Sequence, residues 1–214
     1  MIWAIVVAAG AGTRYGARKQ FLELNGKSVA AWSIAAARSV ASRVVLVIPS
    51  GMNPRDLPND IDADVIVLGG DTRSASVRAG LNKIPLDATV VIIHDAARPM
   101  AKAVLFHRVV EAVEAGADGA VCGAPVTDTI KVVGKVDGIR MVVTTLDRDA
   151  LIAVQTPQAF VPSALRHAHG ALLNATDDAA LVEMTGGTIV IVDGDADNVK
   201  VTFPRDLQLL GDLS

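Results

Sequence analysis

The sequence predicts an α/β fold with a mostly parallel sheet and helices on both of its faces. Short runs rich in Val and Ile alternate along the chain with Ala-rich stretches of helical length, the pattern of parallel strands joined by helices. Hydrophobic residues make up 51 % of the 214 residues but aromatic residues only 3 %, which is typical of strands buried between two helical layers. The length suits a single domain over 1–214.

Each element of this fold follows from a local signal. The predicted strands are 2–8, 43–48, 65–68, 89–94, 119–124, 188–192 and 198–202. Pro49 ends the second of them and Gly69-Gly70 the third. Ser28 is placed to cap the first helix, and Pro204 opens the last. The predicted helices are 28–41, 74–83, 102–115, 161–173, 177–185 and the one that starts near Pro204.

The segment 127–151 interrupts the alternation of strands and helices. Its sequence, "TDTIKVVGKVDGIRMVVTTLDRDAL", contains two alternating strands around Asp137-Gly138, a strong hairpin signal, and no helix. Because a two-stranded ribbon is marginally stable alone, we expect this arm to protrude and to pack on a second copy of the chain, forming a homodimer. The alternative is a hairpin that folds back on its own sheet.

Net charge, hydropathy and cysteine content limit which ligands, locations and cross-links are expected for this chain. The formal net charge is −3, which does not suggest nucleic acid or an anionic membrane, so any anion site must be local. No apolar run approaches the roughly 20 residues of a membrane span, and the first basic residue is Arg14; we therefore expect a cytoplasmic protein. The single cysteine, Cys122, excludes a disulfide within the chain and is interpreted as a buried thiol.

The stretch "VVAAGAGTRYGARKQF" at 6–21 follows the first predicted strand and is the first candidate for a ligand site. It lacks the Gly-Lys-[Ser/Thr] ending of a P-loop. It also fails the dinucleotide pattern G-x-G-x-x-G, because its glycines stand at 10, 12 and 16. The second strand, which ends in "VLVIPSG", offers no carboxylate for a ribose.

A bare backbone beside two cations remains after these exclusions. Residues 8–12 (AAGAG) let a ligand approach the main chain, whose N–H groups can cradle phosphate oxygens. Arg14 and Lys19 add the positive charge that suits a triphosphate and a phosphoryl transition state. The loop by itself leaves open the alternative of an ordinary tight turn with exposed basic residues.

The loop resembles the opening of the sugar-nucleotide and polyol-phosphate nucleotidyltransferases, with "AAGAGTR" (8–14) and "KQF" (19–21) in the places of their signature. Later motifs are "GGDTRSASV" (69–77), "HDAARP" (94–99), "DTIK" (128–131), "DR" (147–148), "QTPQAF" (155–160), "TDDAALVE" (176–183) and "DNVKVT" (197–202). In this order they resemble the 2-C-methyl-D-erythritol 4-phosphate cytidylyltransferases of the non-mevalonate isoprenoid pathway. The resemblance covers nearly the whole chain; Val7, Tyr15 and Arg18 depart from the usual residues.

This resemblance implies a Rossmann-like three-layer sandwich and transfer of a cytidylyl group from CTP to methylerythritol phosphate, with release of pyrophosphate. Arg14 and Lys19 would stabilise the transition state, since catalysis between two anions is mostly charge neutralisation and positioning. Mg²⁺ would be held mainly by the CTP phosphates. The residues implied to contact the nucleotide are Val7, Ala8, Ala9, Gly10, Ala11, Gly12, Thr13, Gly70, Asp71, Ser76 and Ala96.

The acceptor phosphate would be gripped by Arg148 and Lys200, with Arg148 at the end of the arm and able to act across a dimer interface. Asp95 follows a strand at the carboxyl edge of the sheet, where it can orient hydroxyls or approach Mg²⁺; the alternative is a cap of the following turn. The other residues implied at the acceptor are Arg98, which binds it or braces Asp95, and Thr129, Thr156 and Thr176, each of which could instead be a local cap.

The histidines carry less information. His107, His167 and His169 fall on predicted helices without metal-like partners and are interpreted as solvated. His94, beside Asp95, is interpreted as structural.

Two other functions stay open at this point. Ribitol 5-phosphate cytidylyltransferases share the chemistry, but more often resemble A-G-G at the loop and H-D-A-V-R-P later, where this chain has Ala9 and Ala97. A nucleotide-binding module without catalysis is the second. The presence of all four cations implied at the site argues against it; they are Arg14, Lys19, Arg148 and Lys200.

Overall fold

The computed structural model describes residues 1–10, 12, 15–171, 173 and 175–212. In chain order its strands and helices are β1 (Ile2–Val7), β2 (Glu23–Leu24), β3 (Lys27–Ser28), α1 (Val29–Ala37), β4 (Arg43–Ile48), β5 (Val65–Leu68), α2 (Arg73–Leu81), β6 (Val90–Asp95), α3 (Ala103–Glu114), β7 (Gly119–Pro125), β8 (Lys131–Val136), β9 (Ile139–Thr145), β10 (Ile152–Phe160), α4 (Pro162–Gly170), α5 (Asp178–Met184), β11 (Ile189–Asp193) and α6 (Pro204–Asp212). Short 3-10 turns lie at Lys19–Phe21, Pro54–Asp56 and Arg148–Ala150.

A seven-stranded sheet in the order β11-β7-β10-β6-β1-β4-β5 forms the middle layer. The β1–β4, β1–β6, β4–β5 and β7–β11 pairs are parallel, whereas β10 runs antiparallel to both of its neighbours. Six strands therefore share one direction and bring their carboxyl ends to one edge. The predicted α/β fold with a mostly parallel sheet is confirmed.

Helices cover both faces of this sheet because side chains alternate along each strand. In β1, Ala4 and Val6 belong to one apolar core and Ile5 to the other. The first core takes α1 and α3, through side chains such as Ile34 and Phe106. The second core takes α2, α4 and α5. The three layers thus contain two separate cores, one on each side of the sheet.

A third, small apolar cluster joins the chain's two ends. Leu24 and Val29 pack there with Val201 and with Leu210 of α6, and Tyr15 contacts the same cluster. The C-terminal helix is thereby packed beside the segment that follows the glycine-rich loop.

The predicted elements are found with shifted ends, and two predictions were wrong. Ser28 accepts a hydrogen bond from Ala31 N and caps α1, as predicted, but the helix ends at Ala37. Strand β10 was missed, because its middle is polar and does not alternate. Residues 198–202, predicted as a strand, form none; Val201 N donates one hydrogen bond to Ala97 O (2.8 Å), and no ladder continues from it.

Strands β8 and β9 form their own two-stranded sheet, as predicted for the arm, and do not join the central sheet. Asp137 and Gly138 both have positive φ values (48° and 81°), which is the geometry of a tight hairpin turn. The arm exposes large apolar side chains; they include Val136, Ile139, Met141, Val142 and Val143.

Cys122 is buried in the first core, which confirms its interpretation as a buried thiol, and burial raises the pKa of this thiol to about 12. None of the helices in the described ranges combines the length and apolarity that a membrane crossing requires.

Candidate active site

A cleft of about 550 Å³ lies at the carboxyl edge of the sheet, where β1, β4, β5 and β6 end. In open α/β sheets, ligands bind at this edge. The cleft is lined by Val7, Ala8, Ala9, Gly10, Gly12, Arg18, Lys19, Gln20, Pro49, Ser50, Gly70, Asp71, Thr72, Arg73, Ser76, Asp95, Ala97 and Lys200. Most of the residues predicted to contact the nucleotide therefore surround one cavity; Ala11, Thr13 and Arg14 lie outside the described residues.

One wall of the cleft is the glycine-rich loop. Gly12 has a φ of +70°, and a Cβ there would stand 1.9 Å from Ala17 O, so only glycine fits. Gln20, nearly buried, donates from Nε2 to Ala8 O (2.6 Å) and to Gly10 O (3.1 Å). The Gln20 amide thus fixes the curve of the loop by holding two of its carbonyls. Sequence reasoning gave Gln20 no role, although it stands inside the "KQF" motif.

The opposite wall is the start of α2. Thr72 caps the helix by accepting from Ala75 N (3.0 Å), and Ser76 Oγ accepts from Gly70 N (3.2 Å) and donates to Thr72 O (3.0 Å). Ser76 therefore holds the turn that carries Gly70 and Asp71. A Cβ at Gly69 would lie 2.6 Å from Ala9 Cβ, so the two walls approach each other closely at this point.

The floor of the cleft carries a charged cluster. Lys200 Nζ donates to Asp95 Oδ2 (2.5 Å), and Arg73 reaches Asp95 Oδ1 from Nε and Nη2 (3.4 Å each). Burial alone would raise the pKa of Asp95, but Arg73 and Lys200 outweigh it and hold that pKa well below its usual range. Asp95 is therefore ionised at neutral pH and fixes two cations on the floor of the cleft.

A second cavity of about 250 Å³ adjoins the first and shares Arg73, Asp95 and Lys200 with it. Its other lining residues are Arg98, Val154, Gln155, Thr156, Gln158, Thr176 and Asp177. Three residues predicted for the acceptor, Arg98, Thr156 and Thr176, thus lie together. Two cavities that meet at one charged cluster can hold two substrates side by side.

The loop that presents Lys200 is held by buried polar groups. Arg98 Nη1 donates to Asn198 O (2.6 Å), and the buried Asn198 donates from Nδ2 to Gln155 Oε1 (3.1 Å) and to Thr156 O (2.9 Å). Burial lowers the pKa of Arg98. Arg98 therefore braces the Lys200 loop, which is neither of its two predicted roles. It also lines the second cavity, and its predicted contact with the acceptor stays a prediction.

His94 is fully buried under the site, in line with its structural interpretation. A chain of hydrogen bonds passes through it: Asp95 N donates to Thr156 Oγ1 (3.0 Å), Thr156 Oγ1 donates to His94 Nδ1 (3.2 Å), and His94 Nε2 donates to Arg98 O (3.3 Å). Burial lowers the pKa of His94 to about 4, so the ring is neutral and can accept at Nδ1. Thr156 is therefore a linking residue and not a local cap.

The interpretation of His169 as solvated was wrong, whereas His107 and His167 are exposed. His169 is buried and donates from Nε2 to Asp178 Oδ1 (2.9 Å), and Asp178 Oδ2 accepts from Arg73 Nη1 (2.6 Å). Arg73 was missed, although it stands in the "GGDTRSASV" motif. Burial alone would lower its pKa, but Asp178 and Asp95 raise it. The periodicity of α4 gave no signal for His169, because its partner comes from the next helix.

Three predicted residues lie outside both cavities. Ala96 is fully buried in the first core; its N–H donates to Val7 O and its carbonyl accepts from Ser33, so its predicted contact with the nucleotide is not favoured. Thr129 and Arg148 are exposed at the base of the arm, where Arg148 Nη1 donates to Thr127 O (2.9 Å). Their predicted contacts with the acceptor remain predictions.

The described side chains around the two cavities do not form a ready-made site for a divalent cation. Among the described residues no group of three or more His, Cys, Asp or Glu side chains could hold a metal ion. Both Asp95 oxygens already accept from cations, which does not favour Asp95 as a direct ligand. The site suits a cation brought mainly by a substrate's own phosphates, the usual arrangement for Mg²⁺.

A family model described as IspD, 2-C-methyl-D-erythritol 4-phosphate cytidylyltransferase, matches residues 2–211. The 2-C-methyl-D-erythritol 4-phosphate cytidylyltransferase of Rubrobacter xylanophilus is 42% identical over 217 residues, which cover 96% of this chain and 91% of that relative. The bifunctional enzyme IspD/IspF of Oleidesulfovibrio alaskensis is 40% identical over 230 residues, 97% of this chain and 56% of the relative, so the chain spans about half the length of this bifunctional relative.

Solved structures agree with these sequence comparisons. The crystal structure of 2-C-methyl-D-erythritol 4-phosphate cytidylyltransferase from Thermus thermophilus has a TM-score of 0.83 and 35% identity to this chain, and the match covers 100% of this chain and 98% of that one. This likeness confirms the predicted nucleotidyltransferase fold. The family model matches residues 2–211, and the Rubrobacter xylanophilus relative is 42% identical over 96% of this chain. The chain therefore belongs to the IspD family of 2-C-methyl-D-erythritol 4-phosphate cytidylyltransferases.

Proposed function

We propose that this chain transfers the cytidylyl group of CTP to 2-C-methyl-D-erythritol 4-phosphate, which yields 4-diphosphocytidyl-2-C-methyl-D-erythritol and pyrophosphate. The observation that carries the proposal is the pair of adjoining cavities that share Arg73, Asp95 and Lys200. An oxygen of the acceptor phosphate attacks the α-phosphorus of CTP, and the bond from that phosphorus to the pyrophosphate oxygen breaks. No general base is required, because a phosphate monoester is ionised near neutral pH.

The larger cleft takes CTP. Its glycine-rich wall offers main-chain N–H groups to the phosphates, and Lys19 lies on the same wall, where its charge neutralises the oxygens at the reacting phosphorus. Gly70, Asp71 and Ser76 on the facing wall suit the base and ribose. Arg14 is proposed beside Lys19 on the strength of the family signature alone.

The smaller cavity takes the acceptor. Lys200 lies between the two cavities, so its ammonium group is placed to hold the acceptor phosphate next to the α-phosphorus. Thr176 and the Gln158 amide supply polar contacts for the hydroxyl groups. Mg²⁺ is proposed as the cofactor, held by the CTP phosphates, where it would neutralise charge. Asp95 would not be a direct ligand of it, because both carboxylate oxygens contact Arg73 and Lys200.

We also propose that the working form is a homodimer joined through the arm at 127–151. We place it in the cytoplasm, because its proposed donor is a nucleoside triphosphate. The arm's exposed apolar residues, which include Ile139 and Val143, favour a covering surface. Arg148, at the base of the arm, would then reach the acceptor cavity of the partner. Mixing Arg148→Ala with Lys19→Ala protein should restore part of the activity, and absence of rescue in verified mixed dimers would place Arg148 in its own subunit's site.

Pyrophosphate release from CTP tests the proposed reaction. We expect turnover with methylerythritol phosphate and much less with ribitol 5-phosphate; the reverse preference would replace the proposed acceptor, and CTP binding without turnover would support a non-catalytic module. Lys200→Met should raise the KM for the acceptor, since it removes the phosphate-binding charge. Lys102→Met is the matched control, because Lys102 pairs with Asp195 and Asp197 outside both cavities and should leave that KM unchanged.

A further inference from the structure

Four elements are joined beneath the two cavities by a continuous line of charged groups. His169 of α4 contacts Asp178 of α5, Asp178 contacts Arg73 of α2, Arg73 contacts Asp95 of β6, and Asp95 contacts Lys200. Arg73, Asp95 and Lys200 line the cavities, whereas Asp178 and His169 line neither. The side chain of Asp178 is 0% exposed, so it cannot touch a substrate.

The ion-pair distances within this line are unequal. Arg73 lies 2.6 Å from Asp178 but 3.4 Å from Asp95, so its guanidinium is drawn toward the buried carboxylate. Asp95 is left with Lys200 as its close partner, at 2.5 Å. Two carboxylates and two cations balance in charge, and each close contact is a charge-assisted hydrogen bond. Arg73 and Lys200 contact different oxygens of Asp95, Oδ1 and Oδ2. Without the charge of Asp178, the guanidinium would close on Asp95 and displace Lys200.

We propose that Asp178 is a positioning residue for the acceptor site: it holds Arg73 back from Asp95 and so leaves Asp95 to fix Lys200 between the two cavities. His169 supports it, since its Nε2–H donor completes the contacts of Asp178 on the side away from Arg73. His169 Nδ1 is buried without a hydrogen-bond partner in the described structure, which indicates that the ring is oriented for Asp178 alone. The inference rests on the proposed function for its kinetic readout.

The test is the Asp178→Asn variant, alone and combined with Lys200→Met. Alone, it should lower kcat/KM for the acceptor by on the order of 10- to 100-fold, because small misplacements of a positioning group have effects of this size. In the Lys200→Met background it should cause less than about a threefold further loss, since both changes remove the same positioned ammonium group. Losses that multiply independently would overturn the proposal.

The matched control is Asp64→Asn. Asp64 is also a carboxylate paired with arginines (Arg38 at 2.8 Å and Arg43 at 2.7 Å), although its side chain is 14% exposed, and it lies at the opposite edge of the sheet, before β5. Asp64→Asn should lower stability without changing kcat/KM for the acceptor. A loss of kcat/KM equal to that of Asp178→Asn would show that general loosening, and not positioning, is measured.

Two further measurements keep the test decisive. If Asp178→Asn does not fold, Arg73→Lys replaces it, because one ammonium group cannot reach Asp178 and Asp95 as the separate nitrogens of a guanidinium do; it should show the same non-additivity with Lys200→Met. A crystal structure of Asp178→Asn should show Arg73 closer to Asp95 and Lys200 displaced. An unchanged Asp95–Lys200 contact would overturn the proposal even if the wild-type chain proved inactive, which would refute the proposed function separately.

Discussion

Lowering the pH should destabilise the protein through His94, and the size of the effect follows from its burial. The ring is fully buried, and burial lowers its pKa from 6.5 to about 4. In the unfolded chain the imidazole takes up a proton as the pH falls through about 6.5, whereas the folded protein keeps the ring neutral until about pH 4. The contribution of the neutral His94 ring to stability is therefore fully present above pH 6.5, the pKa in the unfolded chain. It is lost as the pH falls toward about 4, the pKa in the folded protein.

The difference between the two pKa values gives the magnitude. A separation of this size corresponds to about 3 kcal/mol in the free energy of unfolding, of which about 2 kcal/mol is lost between about pH 7 and about pH 5. The aspartates whose pKa is lowered include Asp64, Asp95, Asp195 and Asp206. They contribute below this window, because their stabilisation is lost only as the pH falls below the ordinary value of 3.8.

Urea unfolding between about pH 7 and about pH 5 measures the effect, with wild type compared to His94→Gln. The variant has no imidazole at this position, so its stability should fall by about 2 kcal/mol less than that of wild type over the window. His107→Gln makes the same change at an exposed site and should keep the wild-type slope. Equal slopes for wild type and His94→Gln would refute the reasoning, whatever the absolute stability of the variant.

Two other predictions concern the glycine-rich loop. Lys19→Ala should lower kcat by on the order of 100-fold or more and change CTP affinity little, because its charge matters most in the transition state; a change confined to the KM for CTP would contradict that role. Gln20→Leu should lower the free energy of unfolding by about 1–3 kcal/mol and weaken CTP binding, since Ala8 O and Gly10 O lose their donor; chemical denaturation and calorimetric titration measure the two effects, and unchanged CTP binding would contradict it.

The sequence predicted most of this fold because most strands are continuous apolar runs. In β4 and β6 every apolar residue is buried and most of them are Val or Ile, a pattern typical of strands covered on both faces. β10 was missed because Gln155, Thr156 and Gln158 interrupt its apolar pattern, yet all three are buried. Gln155 bonds with Asp195 and Asn198, Thr156 bonds with His94, and the Gln158 amide nitrogen bonds with Asp177. Hydrophobic periodicity cannot reveal such partners.

The parts of the candidate site that are formed by residues close together in the sequence could be predicted. The glycine-rich loop and the "HDAARP" motif carry their own signal, and the cavities are lined by Ala8–Gly10 and Gly12 of the first and by Asp95, Ala97 and Arg98 of the second. The line from His169 to Lys200 could not be found in this way, since two of its contacts, Arg73 with Asp178 and Asp95 with Lys200, each join residues that are 105 positions apart. A buried charge needs a partner, but the sequence does not say which one.

The antiparallel direction of β10 explains why the arm and the acceptor cavity are neighbours. β7 ends at the carboxyl edge of the sheet, at Pro125, and β10 begins opposite it, at Ile152. An antiparallel return needs no crossover helix, so the connection can be a protruding hairpin. Its base is therefore fixed at the ligand-binding edge, and β10 carries Thr156 from there to within hydrogen-bond distance of Asp95 N. A surface that covers the base of the arm would therefore lie near the second cavity, which is the geometry that the proposed contribution of Arg148 across a dimer interface requires.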